Sequence, residues 1–587
     1  MTMAFGRPAF FEVEKARDFL VHHRMDHSAA CSGFAWPKPQ SFNFADDWFD
    51  VIAQRRDRQA LRIVSETETL AWTYSELAAD SRRVANFLTR AGLEKGDSVL
   101  LMIGAHVALW ATMLACIRIG AVIIPASASL SGADLQDRME RGSVRFVVTH
   151  SELTYRFASV GQHWIGITVG EPIVGWLSYD DAAAASPVFA PRDPGRIDEP
   201  LLLYFTSGTT ARPKLVVHDQ MSYPVGHLST LYWLGLKPGD VHLNISSPGW
   251  AKHAWSSFFA PWLGEATVLA LNHDRFDPIK VLEVITKEVV TTFCAPPTAW
   301  RMLIQQDLAE TRHTLREAVS AGEPLNPEVV QYVRKSWGLT IRDGFGQTET
   351  TAQIGNTPGM CLKDGSVGRP LPGFQVHLLP SPDEGEICLE LGERQPVGIM
   401  LGYREDGKIL RSGAPFHHTG DIARQDDDGY IFFIGRSDDV FKSSDYRISP
   451  FELESVLLEH PAVAEAAIVP SPQAVRMAVP KAFVALADGH NPNSTTAESI
   501  LQHCAARLPR YKRISRLEFF ELPKTISGKI RRVDLRLLEA DRRQRHEKGP
   551  LEWVTEDFDS LSARRSNSGL EGTGDGPSKA APGVGPQ

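Results

Sequence analysis

Short apolar runs alternate with longer amphipathic segments over most of the chain, and this alternation constrains the fold more than any other feature. The segment "TYSELAADSRRVANFLTRAGLEKGD" predicts a helix, because Thr73 and Glu76 have capping-box spacing and Leu77, Val84 and Phe87 fall on one face. Candidate strands with turn residues at their ends include "SVLLMIG", "RFVVTH", "LLLYF", "VHLNIS", "ATVLAL" and "VTTFCA". We therefore predict an α/β fold with layered, largely parallel sheets.

The composition and residue pattern of the sequence change twice after this region, and these changes predict domain boundaries. Short strands with glycine turns, such as "GFQVHLLP", "GEICLEL" and "GYIFFIG", indicate a small β-rich subdomain at about 373–436. We expect a large N-terminal domain at 1–436 and a small, compact C-terminal α/β domain at 437–545. The end of the chain is rich in Gly, Ser and Pro, so 546–587 is expected to be a disordered tail.

Charge and cysteine content exclude several classes of protein. The formal net charge is −9, and no basic stripe indicates a nucleic-acid partner. The 6 cysteines are scattered without a Cys-x-x-Cys pair, so the spacing suggests neither a disulfide framework nor a zinc site. A large cytoplasmic protein with reduced thiols is the expectation.

The most apolar region, Val107–Ala126, raises the question of a membrane span. Arg118 and Gly120 interrupt it, whereas a span needs about 20 uninterrupted apolar residues. We expect a buried helix followed by a buried strand, and no membrane span. The first 20 residues have no sustained apolar core, so we expect no secretory signal.

The stretch "YFTSGTTARPKLVVHDQ" predicts an anion site, because an apolar strand runs into a loop rich in backbone donors and hydroxyls. This loop differs from the Gly-x4-Gly-Lys-Ser/Thr pattern of P-loop NTPases, since Gly208 is its single glycine and Pro213 precedes Lys214. Phosphate is the expected ligand of the segment from Thr206 to Lys214.

Four further stretches follow in order: "SAGEPLNPEV", "RDGFGQTETT", "HHTGDIARQDDDGYIFFIGRSDD" and "LPKTISGKIRR". Each alone is compatible with an ordinary polar turn or an exposed lysine. Their joint occurrence downstream of "TSGTTARPK" resembles the adenylate-forming superfamily, which includes acyl-CoA synthetases, luciferases and nonribosomal peptide adenylation domains. The resemblance runs from about Phe42 to Arg536 and is strongest to the medium-chain acyl-CoA synthetase branch.

This resemblance implies a ligase that uses ATP and Mg²⁺ to activate a carboxylic acid, such as a medium-chain fatty or aromatic acid, and transfers it to coenzyme A. Carboxylate attack on the α-phosphate of ATP gives an acyl-adenylate, whose AMP is a good leaving group. Because two anions meet in that step, cations and fixed donors are required. A homodimer is a further expectation.

The resemblance also implies roles for residues of the N-terminal domain. Thr348 and Glu349 would contact the α-phosphate and hold Mg²⁺, Asp421 and Arg436 would hold the ribose and phosphates, and Phe345 would stack on adenine. The implied ATP-binding set is Thr206, Ser207, Gly208, Thr209, Thr210, Lys214, Gly322, Glu323, Pro324, Asp343, Gly344, Phe345, Gly346, Gln347, Thr348, Asp421, Arg436 and Arg447. Trp250 and His253 would border the acyl chain, although they could equally pack the core.

In the C-terminal domain, the resemblance implies that Lys529 is the catalytic lysine of adenylation and that Asp438 is a hinge. A backbone rotation at this hinge would move the C-terminal domain between two poses. In one pose Lys529 acts, and in the other a turn guides the thiol. The implied CoA-binding residues are Ser444, Asp445, Tyr446 and Arg476.

Three positions depart from the pattern of the superfamily and keep alternatives open. Ala211 and Asp445 stand where many relatives have Gly, and Phe345 stands where they usually have Tyr or Trp. Asp445 lies beside the implied path of pantetheine, so a carrier-protein thiol or another acceptor is the alternative to CoA. A non-catalytic nucleotide-binding scaffold is the alternative from another class.

Overall fold

The computed structural model describes residues 8–161, 163–190, 196–206, 213–273, 275–323, 325–444, 446–473, 476–524 and 529–561. The chain divides into two compact units, Met1–Ser437 and Asp438–Gln587. The expected disordered tail lies outside the described residues from residue 562 onward, as do Ser207, Gly208, Thr209, Thr210, Ala211, Pro324 and Asp445.

Across the described part of the chain, helices occur in both units and include two π-helical segments. The α-helices are α1 Pro8–His22, α2 His27–Gly33, α3 Asp50–Arg55, α4 Tyr74–Arg90, α5 Val107–Ile119, α6 Gly132–Arg141, α7 Leu228–Leu234, α8 Ala251–Ala254, α9 Ala260–Leu263, α10 Pro278–Lys287, α11 Pro297–Leu303, α12 Pro327–Trp337, α13 Pro450–Leu458, α14 Ser494–Arg507 and α15 Arg532–Gln544. The π-helical segments are Phe44–Phe49 and Trp255–Phe259, and the 3₁₀ segments are Ser151–Phe157, Tyr179–Ala184, Leu308–Glu310, Arg510–Lys512 and Thr555–Asp557.

The strands belong to several separate sheets. They are β1 Gln59–Val64, β2 Thr69–Thr73, β3 Ser98–Met102, β4 Val122–Pro125, β5 Val144–His150, β6 Ile165–Val169, β7 Leu177–Ser178, β8 Pro200–Thr206, β9 Lys214–Asp219, β10 Val241–Asn244, β11 Thr267–Leu271, β12 Thr292–Ala295, β13 Glu317–Ala321, β14 Ile341–Gly346, β15 Ala352–Gly355, β16 Arg369–Pro370, β17 Val376–Pro380, β18 Glu384–Glu390, β19 Gly402–Glu405, β20 Lys408–Leu410, β21 Phe416–Gln425, β22 Ile431–Arg436, β23 Phe441–Ser443, β24 Tyr446–Ile448, β25 Val463–Gln473, β26 Met477–Leu486, β27 Arg516–Phe519 and β28 Glu552–Val554.

Two large sheets lie in the first unit. The sheet that contains β14 has a parallel centre and antiparallel edges, whereas the sheet that contains β8 is antiparallel on the β20 side and parallel up to its β7 edge. Among the described residues their strand orders are β16-β15-β14-β13-β12-β10-β11-β1-β2 and β20-β19-β9-β8-β4-β3-β5-β6-β7. Strands β14 to β11 pair in parallel, as do β8, β4, β3, β5, β6 and β7. This arrangement confirms the predicted α/β class.

The β-rich part of the first unit is an antiparallel sheet with the order β17-β18-β21-β22. Its register places Asp421 of β21 directly opposite Arg436 of β22. The sheet therefore places Asp421 and Arg436, which are separated in the sequence, opposite each other on neighbouring strands.

The apolar region at 107–126 forms α5 and β4, as predicted. Gly120 ends α5 in the left-handed conformation at φ 81°, and its N–H bonds back to Cys116 and Ile117. Arg118 is buried but paired, since its guanidinium donates to Asp46 and Asp50. Across the described residues, we find no helix with the length and apolarity needed to cross a membrane.

The second unit has its own sheet, β25-β26-β27-β28, and its own apolar core. Ser449 caps α13 by accepting from the Glu452 N–H, with Pro450 as the first helical residue. Strand β28 pairs with β27, so ordered structure extends past residue 545, where we expected the tail to begin.

A buried ionic cluster connects α15 to this sheet. The Lys481 ammonium donates to Glu518 at 2.7 Å, Glu539 at 2.7 Å and Glu552 at 2.9 Å, and all four side chains are 0% exposed. Arg542 and Arg543 add further bonds to these carboxylates. The charged segment "LEADRRQRHEKG", which we expected to be solvated, therefore places several of its charges inside the unit.

Candidate active site

A carboxylate, a guanidinium and an amide form a cluster in the first unit. Arg436 Nη1 donates to Asp421 Oδ2 at 3.2 Å and to the Thr419 carbonyl at 3.1 Å. Gln347 Nε2 donates to the same two oxygens, at 2.5 Å and 2.8 Å. The loop after β14 is thus joined to β21 and β22, and three of the predicted ATP-binding residues come together here.

The ends of β13 and β14 form the neighbouring part of the site. These strands are parallel, and Ala321 pairs with Gly344. Gly322 and Glu323 therefore leave β13 beside Phe345 of β14. Ligands of α/β proteins bind at the carboxyl ends of such strands, which is where these residues lie.

Asp343 lies within β14, opposite Ser320 of β13 and two residues before Phe345. Its Oδ1 accepts from the Gly344 N–H at 2.9 Å. Desolvation raises the pKa of Asp343 to about 7, although the N–H groups of Gly344 and Leu325 and the charge of Lys252 act in the opposite direction. The carboxyl group is therefore poised to change charge near neutral pH.

Two glycines of β14 allow close packing against indole rings. A Cβ added at Gly344 would lie 2.3 Å from Trp233, and one added at Gly346 would lie 2.4 Å from Trp255. Neither distance is tolerable for a side chain. Phe345, between the two glycines, has its ring centroid 6.4 Å from that of Phe433 at an interplanar angle of 34°.

Glu349 is held by Tyr403, a residue that the motifs did not identify. The Tyr403 hydroxyl donates to Glu349 Oε1 at 3.0 Å. Burial, together with the Glu349 carboxylate, raises the pKa of Tyr403 above its usual value, so the hydroxyl remains a donor. Lys214 Nζ lies 4.9 Å from the Tyr403 ring centroid. Lys214 also pairs with Thr206 across the β8–β9 register, at the two ends of the segment predicted to bind phosphate.

His218 holds the backbone carbonyl of Thr348 through a hydrogen bond. Its Nε2 donates to the Thr348 carbonyl at 2.7 Å, and its Nδ1 lies 3.1 Å from the Ser222 hydroxyl. Burial lowers the pKa of His218 to about 3, so the ring is neutral at ordinary pH. With Nε2 as the donor, Nδ1 is the acceptor, which makes His218 a fixed positioning group.

The two residues predicted for the acyl pocket differ in burial. Trp250 is half-buried and precedes α8, whereas His253 is buried with its ring 5.8 Å from that of Trp110. Burial lowers the pKa of His253 to about 3. The nearby Trp255 donates to the Tyr223 hydroxyl at 2.8 Å and packs under Gly346.

The remaining predicted residues belong to the second unit. Asp438 is its first residue, and the Asp438 carbonyl accepts from Arg536 at 2.7 Å. Ser444 has φ 54° and donates its N–H to the Arg476 carbonyl at 2.9 Å. Tyr446 stacks on Tyr511 with centroids 4.3 Å apart. Arg447 pairs with Lys442 across β23 and β24, and Lys529 is exposed just before α15.

Family models extend over most of the two units. The model described as AMP-binding enzyme matches residues 48–404, and the model of the AMP-binding enzyme C-terminal domain matches residues 452–529. The chain belongs to the AMP-binding enzyme family. The resemblance of the motifs to adenylate-forming enzymes is therefore confirmed, and members of this family among acyl-CoA synthetases use ATP, Mg²⁺ and CoA.

Relatives of this AMP-binding enzyme match along nearly their whole length. The 4-hydroxybutyrate–CoA ligase 1 of Metallosphaera sedula is 42% identical over 535 residues, covering 87% of this chain and 93% of the relative. The mitochondrial acyl-coenzyme A synthetase ACSM3 of Mus musculus is 37% identical, covering 85% and 90%.

Solved structures agree with the fold of this AMP-binding enzyme. The anthranilate CoA ligase AuaEII in complex with anthranoyl-AMP matches with a TM-score of 0.77 and 26% identity, covering 86% of this chain and 99% of that one. An acyl-CoA synthetase of Brucella canis matches with a TM-score of 0.66 and 31% identity, covering 90% and 99%.

Sequence reasoning missed Tyr403 and His218 as members of the site. His218 stands within the quoted "VVHDQ" stretch, but nothing in the spacing separates it from a core histidine. Tyr403 reaches Glu349 because the segment just before β19 pairs with the segment around Glu349: the Met400 N–H donates to the Glu349 carbonyl, and Thr350 forms a β-bridge with Ile399. That pairing joins distant parts of the sequence, and no local signal reveals it.

Proposed function

We propose that this protein is an ATP-dependent acid–CoA ligase that forms an acyl-adenylate and transfers the acyl group to coenzyme A. The observation that carries the proposal is the joint cluster of Asp421, Arg436 and Gln347 beside a Tyr403-held Glu349. Near-full-length similarity to CoA ligases supports the same activity.

The Asp421 carboxylate is assigned to the ribose hydroxyls. Arg436 and Gln347 both donate to Oδ2, so the carboxylate is held in one orientation before the nucleotide binds. Two hydroxyl donors on adjacent ribose carbons suit a fixed carboxylate acceptor. On the other side, Gly322, Glu323 and Phe345 are assigned to the adenine, with Asp343 accepting from its amino group.

The phosphates are assigned to the loop from Thr206 to Lys214 and to Thr348. Glu349 fits Mg²⁺, because carboxylate oxygens are the ligands that this hard cation prefers. Tyr403 engages Oε1, which leaves Oε2 as the oxygen that we assign to the cation. The bound cation would offset phosphate charge, while Tyr403 and His218 keep Glu349 and Thr348 in place.

The second unit is assigned the catalytic lysine and the thiol path. Lys529 would approach the carboxylate and the α-phosphate as they meet, so its positive charge offsets the charge that develops there. The boundary between the two units falls at Asp438, which supports a hinge at this position. Ser444, Tyr446, Arg447 and Arg476 are assigned to CoA or phosphate.

The acid itself is proposed by class. Trp250 and His253 are assigned to the border of the acyl pocket, with Trp255 as its floor beneath Gly346. Neutral aromatic and imidazole groups suit an uncharged acyl chain. Medium-chain fatty acids and aromatic acids are the proposed substrates.

A product assay tests this proposal. The full-length protein is incubated with ATP, Mg²⁺, CoA and a panel of medium-chain, aromatic and short hydroxy acids, and products are identified by mass. We expect acyl-CoA together with AMP and pyrophosphate. Acyl-AMP without acyl-CoA would instead support a carrier-protein thiol or another acceptor. ATP binding without turnover of any acid would support a scaffold and refute the ligase.

The cellular compartment and the oligomeric state are two further proposals. The 6 cysteines carry free thiols, which supports work in a reducing compartment such as the cytoplasm. A homodimer is proposed on the resemblance alone, and light scattering of the purified protein measures it directly.

A further inference from the structure

Three side chains with different ligand atoms meet on the antiparallel sheet of the first unit. Cys388 of β18 pairs in register with His418 of β21, and Glu386 lies two residues earlier on β18. His418 Nδ1 is 3.4 Å from Cys388 Sγ and 2.9 Å from Glu386 Oε2. One ligand atom from each residue lies within 4.8 Å of the others.

Two of the three ligand-atom separations can be compared with those of a zinc coordination shell. Zinc bonds of about 2.0–2.3 Å to sulfur, nitrogen and oxygen place tetrahedral ligand atoms about 3.4–3.6 Å apart. The sulfur–nitrogen separation already has this value. The nitrogen–oxygen separation of 2.9 Å needs to open by about half an ångström, which a small carboxylate rotation supplies.

The carboxylate of Glu386 is oriented by a second bond. Its Oε1 accepts from the Gly420 N–H at 2.7 Å, which directs Oε2 toward His418. Ligating carboxylates in metal sites are commonly held in this way by a partner outside the coordination shell. The backbone of β21 thus prepares the third ligand.

The cluster is open on one side. Cys388 is buried, whereas the His418 side chain is 56% exposed. A cation can enter from the His418 side, and water can take a fourth position there. The thiol and imidazole favour zinc-like cations over Mg²⁺, which prefers oxygen ligands.

We propose that Glu386, Cys388 and His418 form a binding site for a zinc-class divalent cation. The site is separate from the Mg²⁺ assigned to Glu349 and does not depend on the proposed ligase activity. Spacing along the sequence could not reveal it, because the Cys and His lie on different strands and no Cys-x-x-Cys pair is present. A β-sheet register creates the site.

Cobalt(II) titration of the full-length, chelator-treated protein tests the proposal, because a thiolate bound to Co²⁺ gives a near-ultraviolet charge-transfer band. We expect this band to saturate at one equivalent of Co²⁺ and to disappear when Zn²⁺ is added. Cys388→Ser should abolish it. His418→Asn should not affect folding, because the position is exposed. This change should weaken Co²⁺ binding at least tenfold, which is about the smallest effect expected when an interaction at a metal site is lost.

Cys31→Ser is the matched control. Like Cys388, Cys31 lies beside a histidine, with Sγ 3.4 Å from His27 Nε2, but it is exposed where Cys388 is buried, and it belongs to no three-ligand group among the described residues. The band should survive this change. Three results would overturn the proposal: absence of the band in the unmodified protein, its persistence in Cys388→Ser, or its loss in Cys31→Ser. Absence of the band in the unmodified protein would show that the three side chains form only a hydrogen-bonded cluster.

Discussion

At the scale of single residues, the hydroxyl of Tyr403 makes a prediction about Mg²⁺. It donates to the carboxylate assigned to the cation, at 3.0 Å. Tyr403→Phe removes that donor and keeps the ring against which Lys214 packs. We expect the Mg²⁺ and ATP concentrations needed for half-maximal activity to rise about tenfold, the lower range for a hydrogen bond to a charged group.

The control for this change is Tyr332→Phe, since the exposed Tyr332 hydroxyl donates to the Gln306 carbonyl and not to a site residue. Steady-state rates measured across a Mg²⁺ series distinguish the two variants. Equal Mg²⁺ requirements in both would show that the Tyr403 hydroxyl does not position Glu349.

Asp343 predicts a pH dependence of nucleotide binding. Its pKa is raised to about 7, and only the ionised carboxylate is a full acceptor for the adenine amino group. Lowering the pH from about 8 to about 6 protonates the group, so the KM for ATP should rise up to about tenfold.

Asp343→Asn retains an acceptor oxygen at every pH, so its KM for ATP should lose this dependence. The comparison also removes the contribution of ATP's own titration, because that contribution is the same for both proteins. A parallel rise in both proteins would show that Asp343 does not accept from the nucleotide.

Roles for several residues are implied by the joint order of the motifs and not by any one motif alone. The resemblance assigns Asp421 in "TGD" and Arg436 in "GRSDD" to the nucleotide. Their partnership was not readable, since it arises from β21–β22 register. The role of Tyr403 was not readable either, because its contact with Glu349 is made only in the folded chain.

At the scale of elements, apolar runs predicted the parallel strands well because both faces of such strands are buried. The segment "VTTFCA" contains β12, and the segment "SVLLMIG" contains β3. Charged runs were harder to interpret. The helix α15 is rich in Arg and acidic residues, which indicates a solvated helix, yet Glu539 is buried against Lys481. Whether a charge is solvated depends on a partner that only the fold supplies.

The cluster around Lys481 predicts a large loss of stability when its cation is removed. Lys481→Met leaves Glu518, Glu539 and Glu552 with less compensation in a buried setting, and breaking such a pair costs about 3–5 kcal/mol. Hydrogen exchange of the full chain should show amides of β26 exchanging about two to four orders of magnitude faster.

Lys524→Met is the matched change in the same unit. Lys524 pairs with Glu465 at 2.7 Å, but both side chains are partly exposed, so the free energy of opening should change by less than about 1 kcal/mol. If β26 exchanged equally fast in both variants, the buried cluster would contribute no more than a surface pair.

At the scale of the whole molecule, the assigned roles are divided between two compact units. The residues assigned to the nucleotide lie mostly in Met1–Ser437, and Lys529 lies in Asp438–Gln587. A reaction with two half-reactions suits this division, because one unit can hold the adenylate while the other unit contributes different residues to each half-reaction. The change in sequence pattern predicts a boundary between residues 436 and 437, and the folded chain divides between Ser437 and Asp438.

Lys529→Ala separates the two half-reactions. Without the ammonium, charge developing between the carboxylate and the α-phosphate is not offset, so acid-dependent exchange of pyrophosphate into ATP should fall by about 10²–10³-fold or more. Thiol attack on supplied acyl-AMP should continue, since that step does not bring these two anions together. Lys524→Ala, a lysine of the same "PKTISGK" segment held by Glu465, should retain both activities. Normal exchange in Lys529→Ala would reject this lysine as the catalytic group, and loss of both activities would place it in a step common to both.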